Sequence, residues 1–179
     1  MRELTLGQFF IDTPKYHSPR INLVVEPTSK AAGALAPPPL TFLGGFILGT
    51  VINFLFPLPI SGSIWIQLFG AVPLVLGIWL LASANITFRR HKTPPEPWKP
   101  SVELVQDGPY RFTRNPIYAS FAAIYLGASF FFNSSFALTM LIPVLVLFDR
   151  NQIPREEHYL EEKFGEEYIR YKAKVRRWI

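Results

Sequence analysis

The stretch GPYRFTRNPIY at residues 108–118 lies between two uncharged apolar blocks, and the rest of the chain is organised around it. It carries two arginines, two tyrosines and two prolines, and an Asn-Pro pair leads into an apolar run. Asn is favoured at the cap position before a helix, and Pro is favoured as the first helical residue. The stretch therefore predicts a helix that starts at Pro116, with Asn115 at its N-terminal cap.

Charge is excluded from the blocks on either side of this stretch. The chain has 179 residues, of which 49% are hydrophobic and only 17% charged, whereas soluble domains have about a quarter charged. All 18 Lys and Arg and all 13 Asp and Glu fall in residues 1–36, 89–114 and 149–179. This distribution is typical of an integral membrane protein. The net charge of +5 fits loops that face anionic membrane lipids, and we expect no nucleic-acid partner.

Four apolar runs lie between the charged segments. They cover residues 40–56, 64–88, 117–132 and 136–148. The turns after the first and third runs are uncharged, so every charged segment falls on one side of the membrane. The positive-inside rule then places both termini, the 89–114 connector and the active site in the cytoplasm. The predicted fold is all-α and membrane-integral, with about four transmembrane helices, the last two forming a helical hairpin.

Three glycines and one proline predict local features of the first two spans. Gly44, Gly45 and Gly49 would let a neighbouring helix approach the first span closely, because they present no side chain. Pro73 predicts a kink in the second span, because a proline removes one hydrogen bond from the helix.

The tail from about Arg155 to Ile179 is predicted to form one amphipathic helix on the cytosolic side. Its apolar side chains recur at spacings of three and four and form one stripe. The stripe consists of Leu160, Phe164, Tyr168, Tyr171, Val175 and Trp178. Gly165 is the weak point of this helix. A helix that lies on the membrane or caps the bundle accounts for the stripe, but not for Glu156 and Glu157, which precede it.

Two clusters of opposite charge are predicted to meet at the cytoplasmic face. The first turn of the helix after Asn115 has unpaired N–H groups that attract anions, and Arg111 and Arg114 add positive charge beside it. Glu156 and Glu157 follow the last span, and one of them, turned inward, would bind an ammonium group. Together the two clusters suit a zwitterionic amino-acid group.

Each cluster also has a purely structural interpretation. The arginines would then be ordinary positive-inside residues, with the tyrosines as anchors at the membrane interface. The acids would be a first helical turn favoured by the helix dipole. The chain has no cysteine and three scattered histidines, so neither thiol chemistry nor a metal site is indicated.

The motif at residues 108–118 and a second one at residues 155–171, REEHYLEEKFGEEYIRY, together resemble the isoprenylcysteine carboxyl methyltransferase family. That family is related to the phospholipid N-methyltransferases. The likeness covers roughly residues 85–179, including the hairpin between the two motifs. It implies an integral membrane enzyme that binds S-adenosyl-L-methionine at the cytosolic side and methylates a lipophilic acceptor that enters from the bilayer.

The resemblance also implies a division of the chain. Residues 37–179 would form the membrane methyltransferase domain, with the cofactor-binding part in residues 93–179. Residues 1–36 lie outside the likeness and would form an N-terminal cytosolic segment.

Carried over by position, the resemblance implies particular site residues. The cofactor-binding residues would be Gly108, Tyr110, Arg111, Asn115, Tyr118, Glu156 and Glu157. Tyr110 and Tyr118 would contact the adenosine or the sulfonium, the latter by cation–π attraction. Arg114 and Glu157 would be the catalytic residues. Arg114 would orient an anionic group of the acceptor, and Glu157, Glu156 or water would remove the proton of an amine acceptor.

Asn115 departs from the family pattern, in which many members have His at this position. Asn caps a helix but cannot be a general base, so the acceptor stays open among an isoprenylated carboxylate, a phospholipid amine and another small lipophile. Two other functions stay open as well. One is an NADPH-dependent membrane reductase of the sterol-reductase kind, whose members are usually longer, and the other is a non-catalytic membrane adaptor.

Overall fold

The computed structural model describes residues 37–92 and 101–179 of the chain. The regular secondary structure of this part is entirely helical, with no β-strand. Its helices are α1 (Pro38–Leu55), α2 (Ile64–Phe69), α3 (Ala71–Arg90), α4 (Pro116–Phe131), α5 (Ser135–Leu147), α6 (Ile153–Phe164) and α7 (Glu166–Lys174). A 3₁₀ turn at Gly108–Arg111 precedes α4, and a π-helical turn at Phe148–Gln152 joins α5 to α6. The predicted segment 1–36 and the proline-rich part of the connector, residues 93–100, lie outside the described residues.

Apolar helices occupy the predicted spans. Within the described residues, three helical stretches are long and apolar enough to cross a membrane, namely Pro38–Leu55, Ile64–Arg90 and Ser135–Phe164. The helix α4 is a shorter apolar helix of 16 residues. Large apolar side chains remain uncovered, such as Phe54 and Trp79 at 83% and 65% exposure, as expected of surfaces that face lipid. The prediction of an all-α membrane protein is confirmed.

The central helix of the bundle is α4. It contacts α1, α2, α3 and α5, while α1 packs along α5 on one side of it and α3 packs along α4 itself. Small side chains of α4 are buried in these contacts. Because α4 is enclosed by its neighbours, the segment that leads into its N-terminus is also held among several elements.

Two of the three glycines in α1 lie where a close helix contact requires them. A Cβ on Gly49 would stand 2.5 Å from the Cα of Ala137 in α5, and one on Gly45 would stand 2.7 Å from a methyl of Val144. A Cβ on Gly44 would meet nothing within 4 Å. The predicted close approach is therefore confirmed for Gly45 and Gly49, and Gly44 faces away from it.

The second span is broken where a proline disturbs its hydrogen bonds. The break lies at Gly70, between α2 and α3, about one turn before Pro73. Pro73 has no N–H to donate to the carbonyl of Phe69 four residues earlier, so the helix loses a bond at this point. The interruption lies one turn upstream of the proline, and the kink predicted from Pro73 stays a prediction.

The fourth span continues into the start of the tail without interruption. The helix α5, the π-helical turn and α6 form one uninterrupted helical stretch, Ser135–Phe164. Pro154 lies at the second position of α6, directly after the π-helical turn. Such a turn absorbs the missing hydrogen bond of a proline without ending the helix. The acids Glu156 and Glu157 are thus carried on a direct extension of a membrane helix.

The prediction of one tail helix up to Ile179 is wrong. The helix α6 ends because Gly165 adopts a positive φ of 53°, which is left-handed backbone that favours glycine. The helix α7 ends at Lys174, and residues 175–179 then fold back on the bundle. Five of the six stripe residues pack together with Leu104 of the connector, whereas Trp178 packs on a different cluster.

Aromatic rings fill the bundle directly below the N-terminal end of α4. Phe42 of α1 stacks on Phe148 of the π-helical turn with ring centroids 4.9 Å apart. Tyr118 of α4 lies on the other side of Phe148, also at 4.9 Å. These contacts tie three elements together beneath the predicted site and fix the position of Tyr118.

The α1–α5 contact gives a stability prediction. Gly49→Ala should lower the free energy of unfolding in detergent by roughly 1–3 kcal/mol, because the added methyl overpacks the helix interface. Gly44→Ala adds the same methyl to the same helix in open space, so it should be neutral or slightly stabilising. Equal effects of the two substitutions on thermal or denaturant unfolding would contradict the close contact.

Candidate functional site

A cavity of about 280 Å³ lies at the N-terminal end of α4. Its walls come from α3, α4, α6, α7 and the connector after residue 100, together with the start of α1. Six of the predicted site residues line it, namely Tyr110, Arg114, Asn115, Tyr118, Glu156 and Glu157. The two motifs therefore meet at one place, although about forty residues of chain separate them.

Two predicted site residues do not line this cavity. Arg111 is exposed to solvent at the end of the 3₁₀ turn. Gly108 has a positive φ of 55°, and a Cβ there would stand 2.6 Å from the hydroxyl oxygen of Thr87 in α3. Gly108 therefore has a structural role in this arrangement: it lets the connector turn tightly against α3, which brings Tyr110 into the cavity wall.

Arg114 lines the cavity, and two of its side-chain nitrogens have no hydrogen-bond acceptor among the described residues. Its side chain is 10% exposed, and its Nη1 lies 3.0 Å from Oε1 of Glu157. This is an ion-pair distance, but the alignment is not that of a hydrogen bond. Within the described parts of the chain, Nε and Nη1 of Arg114 are buried and donate to no acceptor. Buried donors without acceptors are costly, so an anionic ligand group is favoured here.

Glu157 is buried and paired with cations. Its residue is 6% exposed. Arg177 donates to both of its oxygens, from Nη2 at 2.8 Å and from Nε at 3.1 Å. Lys172 is farther away, with Nζ 3.8 Å from Oε2. With Arg177 and Arg114 on either side, the charge of Glu157 is already compensated by the protein.

Glu156 differs from its neighbour because neutral groups hold it. Its Oε1 accepts a hydrogen bond from the hydroxyl of Tyr118 and another from Nε2 of Gln152 at 2.8 Å. No Lys, Arg or His of residues 37–92 or 101–179 makes a recorded ion pair with it. A buried carboxylate without a cation is unfavourable, so the cavity wall at Glu156 favours a cationic ligand group.

The start of α4 is open toward the cavity. Pro116 is the first helical residue and Asn115 holds the cap position, as predicted. The Asn115 side chain makes no capping bond, however; its Nδ2 donates instead to the carbonyl of Arg177 at 3.0 Å. That part of the capping prediction is wrong: a cap would use Oδ1 as the acceptor, whereas the amide is oriented by the bond that Nδ2 donates to a carbonyl 62 residues away. The N–H groups of Ile117 and Tyr118 thus remain uncapped by Asn115, and both residues line the cavity.

Tyrosines of the tail complete the wall and were predicted only as members of the apolar stripe. Tyr168 and Tyr171 are buried and line the cavity, and the Tyr171 hydroxyl donates to the carbonyl of Tyr110 at 2.8 Å. Burial raises the pKa of Tyr168 to about 12 and holds the pKa of Tyr110 well above its usual range. These hydroxyls stay protonated, so they line the wall without adding negative charge. Tyrosine in place of Leu or Phe on the stripe is the signal that could have identified them.

Arg177 was also missed, and its position carries no pattern that would have singled it out. It lies off the apolar stripe, in the segment that folds back after α7. The carbonyl of Arg176 accepts from the backbone N–H of Arg114 at 2.9 Å, and the carbonyl of Arg177 accepts from the hydroxyl of Thr113 at 3.1 Å. The end of the tail therefore holds the segment that carries the site.

Apolar side chains form another part of the cavity lining, which we call the apolar wall. It is formed by Leu81 and Phe88 of α3 and by Ile117 and Phe121 of α4, with Pro38 of α1 at its margin. The lining of the cavity thus combines charged and hydrogen-bonding groups with hydrocarbon. Such a lining suits bound molecules that have a charged group and a lipophilic part.

His91 holds the connector against the end of α3. Its Nδ1 lies 3.1 Å from a carboxylate oxygen of Glu103, and its Nε2 lies 2.9 Å from one of Asp107. Both ring nitrogens are used in this way, and the described residues contain no group of three or more His, Asp or Glu arranged to hold a metal ion. Since Leu104 and Val105 between these acids are buried, the pairing closes the connector over one side of the cavity.

Comparison with known proteins matches the same part of the chain. A family model described as phospholipid methyltransferase matches residues 65–167. Protein-S-isoprenylcysteine O-methyltransferase B of Arabidopsis thaliana is 31% identical over 113 residues, which are 62% of this chain and 57% of that protein. Protein-S-isoprenylcysteine O-methyltransferase of Saccharomyces cerevisiae is 39% identical over 72 residues, 40% of this chain and 30% of that protein.

A shorter relative is matched over its full length. It is an uncharacterised protein of Haemophilus influenzae, 44% identical over 63 residues, which are 35% of this chain and 100% of that protein. By contrast, the match covers little more than half of the length of the plant relative and less than a third of the length of the yeast relative. No solved structure shows a significant match.

The His91 pairing gives a pH prediction. The carboxylates of Glu103 and Asp107 raise the pKa of His91 above its ordinary 6.5. The folded protein thus favours the charged ring. The resulting stabilisation is fully present below pH 6.5 and is lost as the pH rises through the raised pKa. His91→Gln should therefore lower the unfolding temperature more at about pH 6 than at about pH 9.

The control removes the two carboxylates instead of the imidazole. In a Glu103→Gln/Asp107→Asn background, His91→Gln should have nearly the same small effect at both pH values. An unchanged difference between pH 6 and pH 9 in the wild-type background would contradict the pairing.

Proposed function

Because the chain belongs to the phospholipid methyltransferase family, we propose that it is an integral membrane enzyme that transfers a methyl group from S-adenosyl-L-methionine to a lipophilic acceptor. The predicted resemblance to the isoprenylcysteine carboxyl methyltransferases is confirmed by the named relatives. The observation that carries the proposal for this chain is the cavity, which combines a buried carboxylate without a cation, unused N–H donors and an apolar wall.

The polar wall fits the amino-acid part of the cofactor. Its ammonium group is a suitable partner for Glu156, whose carboxylate has only neutral donors. Its carboxylate is suited to the first turn of α4, where Ile117 and Tyr118 line the cavity and their N–H groups have no acceptor within the helix. A zwitterion would thus satisfy two groups that the folded chain leaves incompletely paired.

Aromatic side chains would surround the rest of the cofactor. Tyr110 and Tyr118 line the cavity on either side of Asn115 in the sequence, and Tyr168 and Tyr171 lie on the tail. Their faces attract a positively charged group, and they present neutral hydroxyls. When bound, the cofactor supplies a methyl group made electrophilic by a sulfonium centre. The residues of the chain contribute binding, orientation and the exclusion of water.

The remaining donors and the apolar wall favour a lipophilic carboxylate as the acceptor. The unused Nε and Nη1 of Arg114 suit an anionic head group, and Leu81, Phe88 and Phe121 suit a hydrocarbon chain. We therefore propose Arg114 as the residue that orients the acceptor. Glu157, which holds Arg114, serves as a positioning residue.

A carboxylate as the methyl acceptor also agrees with the side chains of the site, because none of them is available as a general base. Glu157 is bound by Arg177, Asn115 has no basic group, and Glu156 is assigned to the ammonium group. An amine acceptor needs a base to become a nucleophile at neutral pH, whereas a carboxylate is already ionised. This favours an isoprenylcysteine-like carboxylate over a phospholipid amine.

The placement in the membrane is part of the same proposal. With the positive-inside rule applied to the charged segments, both termini, the connector and the cavity lie on the cytoplasmic side. Residues 93–179 then form the cofactor-binding part of the membrane domain in residues 37–179. The acceptor reaches the apolar wall of the cavity from the bilayer, and membrane lipids surround the exposed faces of α1 and α3.

Binding of the demethylated cofactor tests the proposal directly. S-adenosylhomocysteine at a hundredfold excess over its dissociation constant should stabilise the purified protein in detergent by about 2.7 kcal/mol, with a matching rise in unfolding temperature. NADPH should have no effect. Stabilisation by NADPH alone would instead indicate a reductase, and stabilisation by neither ligand would indicate a non-catalytic membrane protein.

The two adjacent acids provide the residue-level test. Glu156→Gln keeps the shape of the side chain but removes the charge proposed to bind the ammonium group. The dissociation constant for S-adenosylhomocysteine should rise by about tenfold or more. Glu166→Gln, at an exposed position at the start of α7, should leave it within about twofold. Equal binding by the two variants would remove Glu156 from the cofactor site.

A further inference from the structure

Arg177 connects three separate parts of the site. Its guanidinium binds both oxygens of Glu157 in α6 and lies 3.3 Å from Oδ1 of Asp149 in the π-helical turn. Its carbonyl accepts hydrogen bonds from the hydroxyl of Thr113 and from the amide of Asn115. Through these contacts, Arg177 binds α6, which carries Glu157, and the segment on both sides of Arg114.

We propose that Arg177 is a positioning residue that keeps the Arg114 donors available for an anionic ligand. By occupying Glu157, it prevents that carboxylate from binding Arg114 in a two-bond pair. The inference rests on the proposed function, in which Arg114 receives the carboxylate of the acceptor.

The geometry of the three side chains supports this competition. A guanidinium and a carboxylate bind most strongly as a fork with two parallel hydrogen bonds. Arg177 makes that fork with Glu157, using Nη2 and Nε at 2.8 and 3.1 Å. Arg114 is left with one approach to Oε1 at 3.0 Å and with buried Nε and Nη1 that donate to no described acceptor. If Arg177 were absent, Glu157 would be free to form such a fork with Nη1 and Nη2 of Arg114, which would take Nη1 away from an anionic ligand.

Lys172 cannot take over this role. It stands 3.8 Å from Oε2 of Glu157, and its ammonium pairs with Glu161. Its side chain is 39% exposed, and an ammonium is a point charge without the planar fork of a guanidinium. Glu157 therefore depends on Arg177 for its pair of hydrogen bonds.

The test measures binding of a carboxylate probe to the full-length protein. The probe is N-acetyl-S-farnesyl-L-cysteine, titrated in detergent with S-adenosylhomocysteine present, and the matched neutral probe is its carboxamide. Arg177→Gln should raise the dissociation constant of the carboxylate about tenfold or more and that of the carboxamide by less than about threefold. Arg176→Gln removes an exposed charge at the adjacent position and should leave both constants within about twofold.

A second substitution separates positioning from a general loss of structure. In Arg177→Gln/Glu157→Gln, no carboxylate remains to capture Arg114, so carboxylate binding should be at least about threefold tighter than in Arg177→Gln, although below the wild-type affinity because Glu157 no longer holds Arg114. A tail that merely tethers the fold would be weakened further by the second change. Absence of recovery, or equal binding by Arg177→Gln and Arg176→Gln, would overturn the inference.

A conservative variant keeps the test valid if Arg177→Gln does not fold. Arg177→Lys retains one charge but only one contact to Glu157, so carboxylate binding should weaken by about threefold. Wild-type affinity in that variant would contradict the proposal. Failure of the proposed function is seen separately, because the wild-type protein would then bind neither S-adenosylhomocysteine nor the carboxylate probe.

Discussion

The buried carboxylate of Glu157 is the constraint on which the rest of the site depends. An ionised group removed from water needs partners, and breaking such a pair costs about 3–5 kcal/mol. The partners of Glu157 come from distant parts of the chain, Arg114 from the connector and Arg177 from the tail. The tail must therefore fold back after α7, and its carbonyls then fix the segment that leads into α4. One charge on the extension of a membrane helix thereby determines the paths of two otherwise irregular segments.

Two neighbouring acids have different electrostatic environments because a helix turns by about 100° per residue. Glu157 faces the arginines and is compensated within the protein, whereas Glu156 faces Tyr118 and Gln152, which are neutral. The cavity thus receives a negative group on one part of its wall and unused positive donors on another. A site for a zwitterion needs this separation. If both acids were paired with arginines, no carboxylate would remain for the ammonium group, and if neither were paired, the two carboxylates would repel each other.

The fold could be predicted from the sequence where the determining physics is local. The charge-free runs located the apolar helices, and Pro73 and the glycines of α1 indicated a break and a contact, because each depends on the residue itself. It was also predictable that the two motifs meet at one face of the bundle, because the spans between them return the chain to the same side. The partners of Asn115 and Glu157 were not, because a hydrogen bond between residues 62 or 20 positions apart leaves no periodic pattern. The π-helical turn that joins α5 to α6 was not predicted, because it has no sequence signature as strong as the proline that marks a helix start.

The short central helix has a consequence for the membrane around the protein. With 16 residues, α4 rises about 24 Å, whereas the hydrocarbon core of a bilayer measures about 30 Å. Such hydrophobic mismatch is relieved when lipids thin around the helix or when the ends of the helix sit below the headgroups. In the second case the cavity at the N-terminus of α4 lies at acyl-chain depth. The thickness of the host bilayer, set by the length and saturation of its lipids, thus becomes a physical variable of the site.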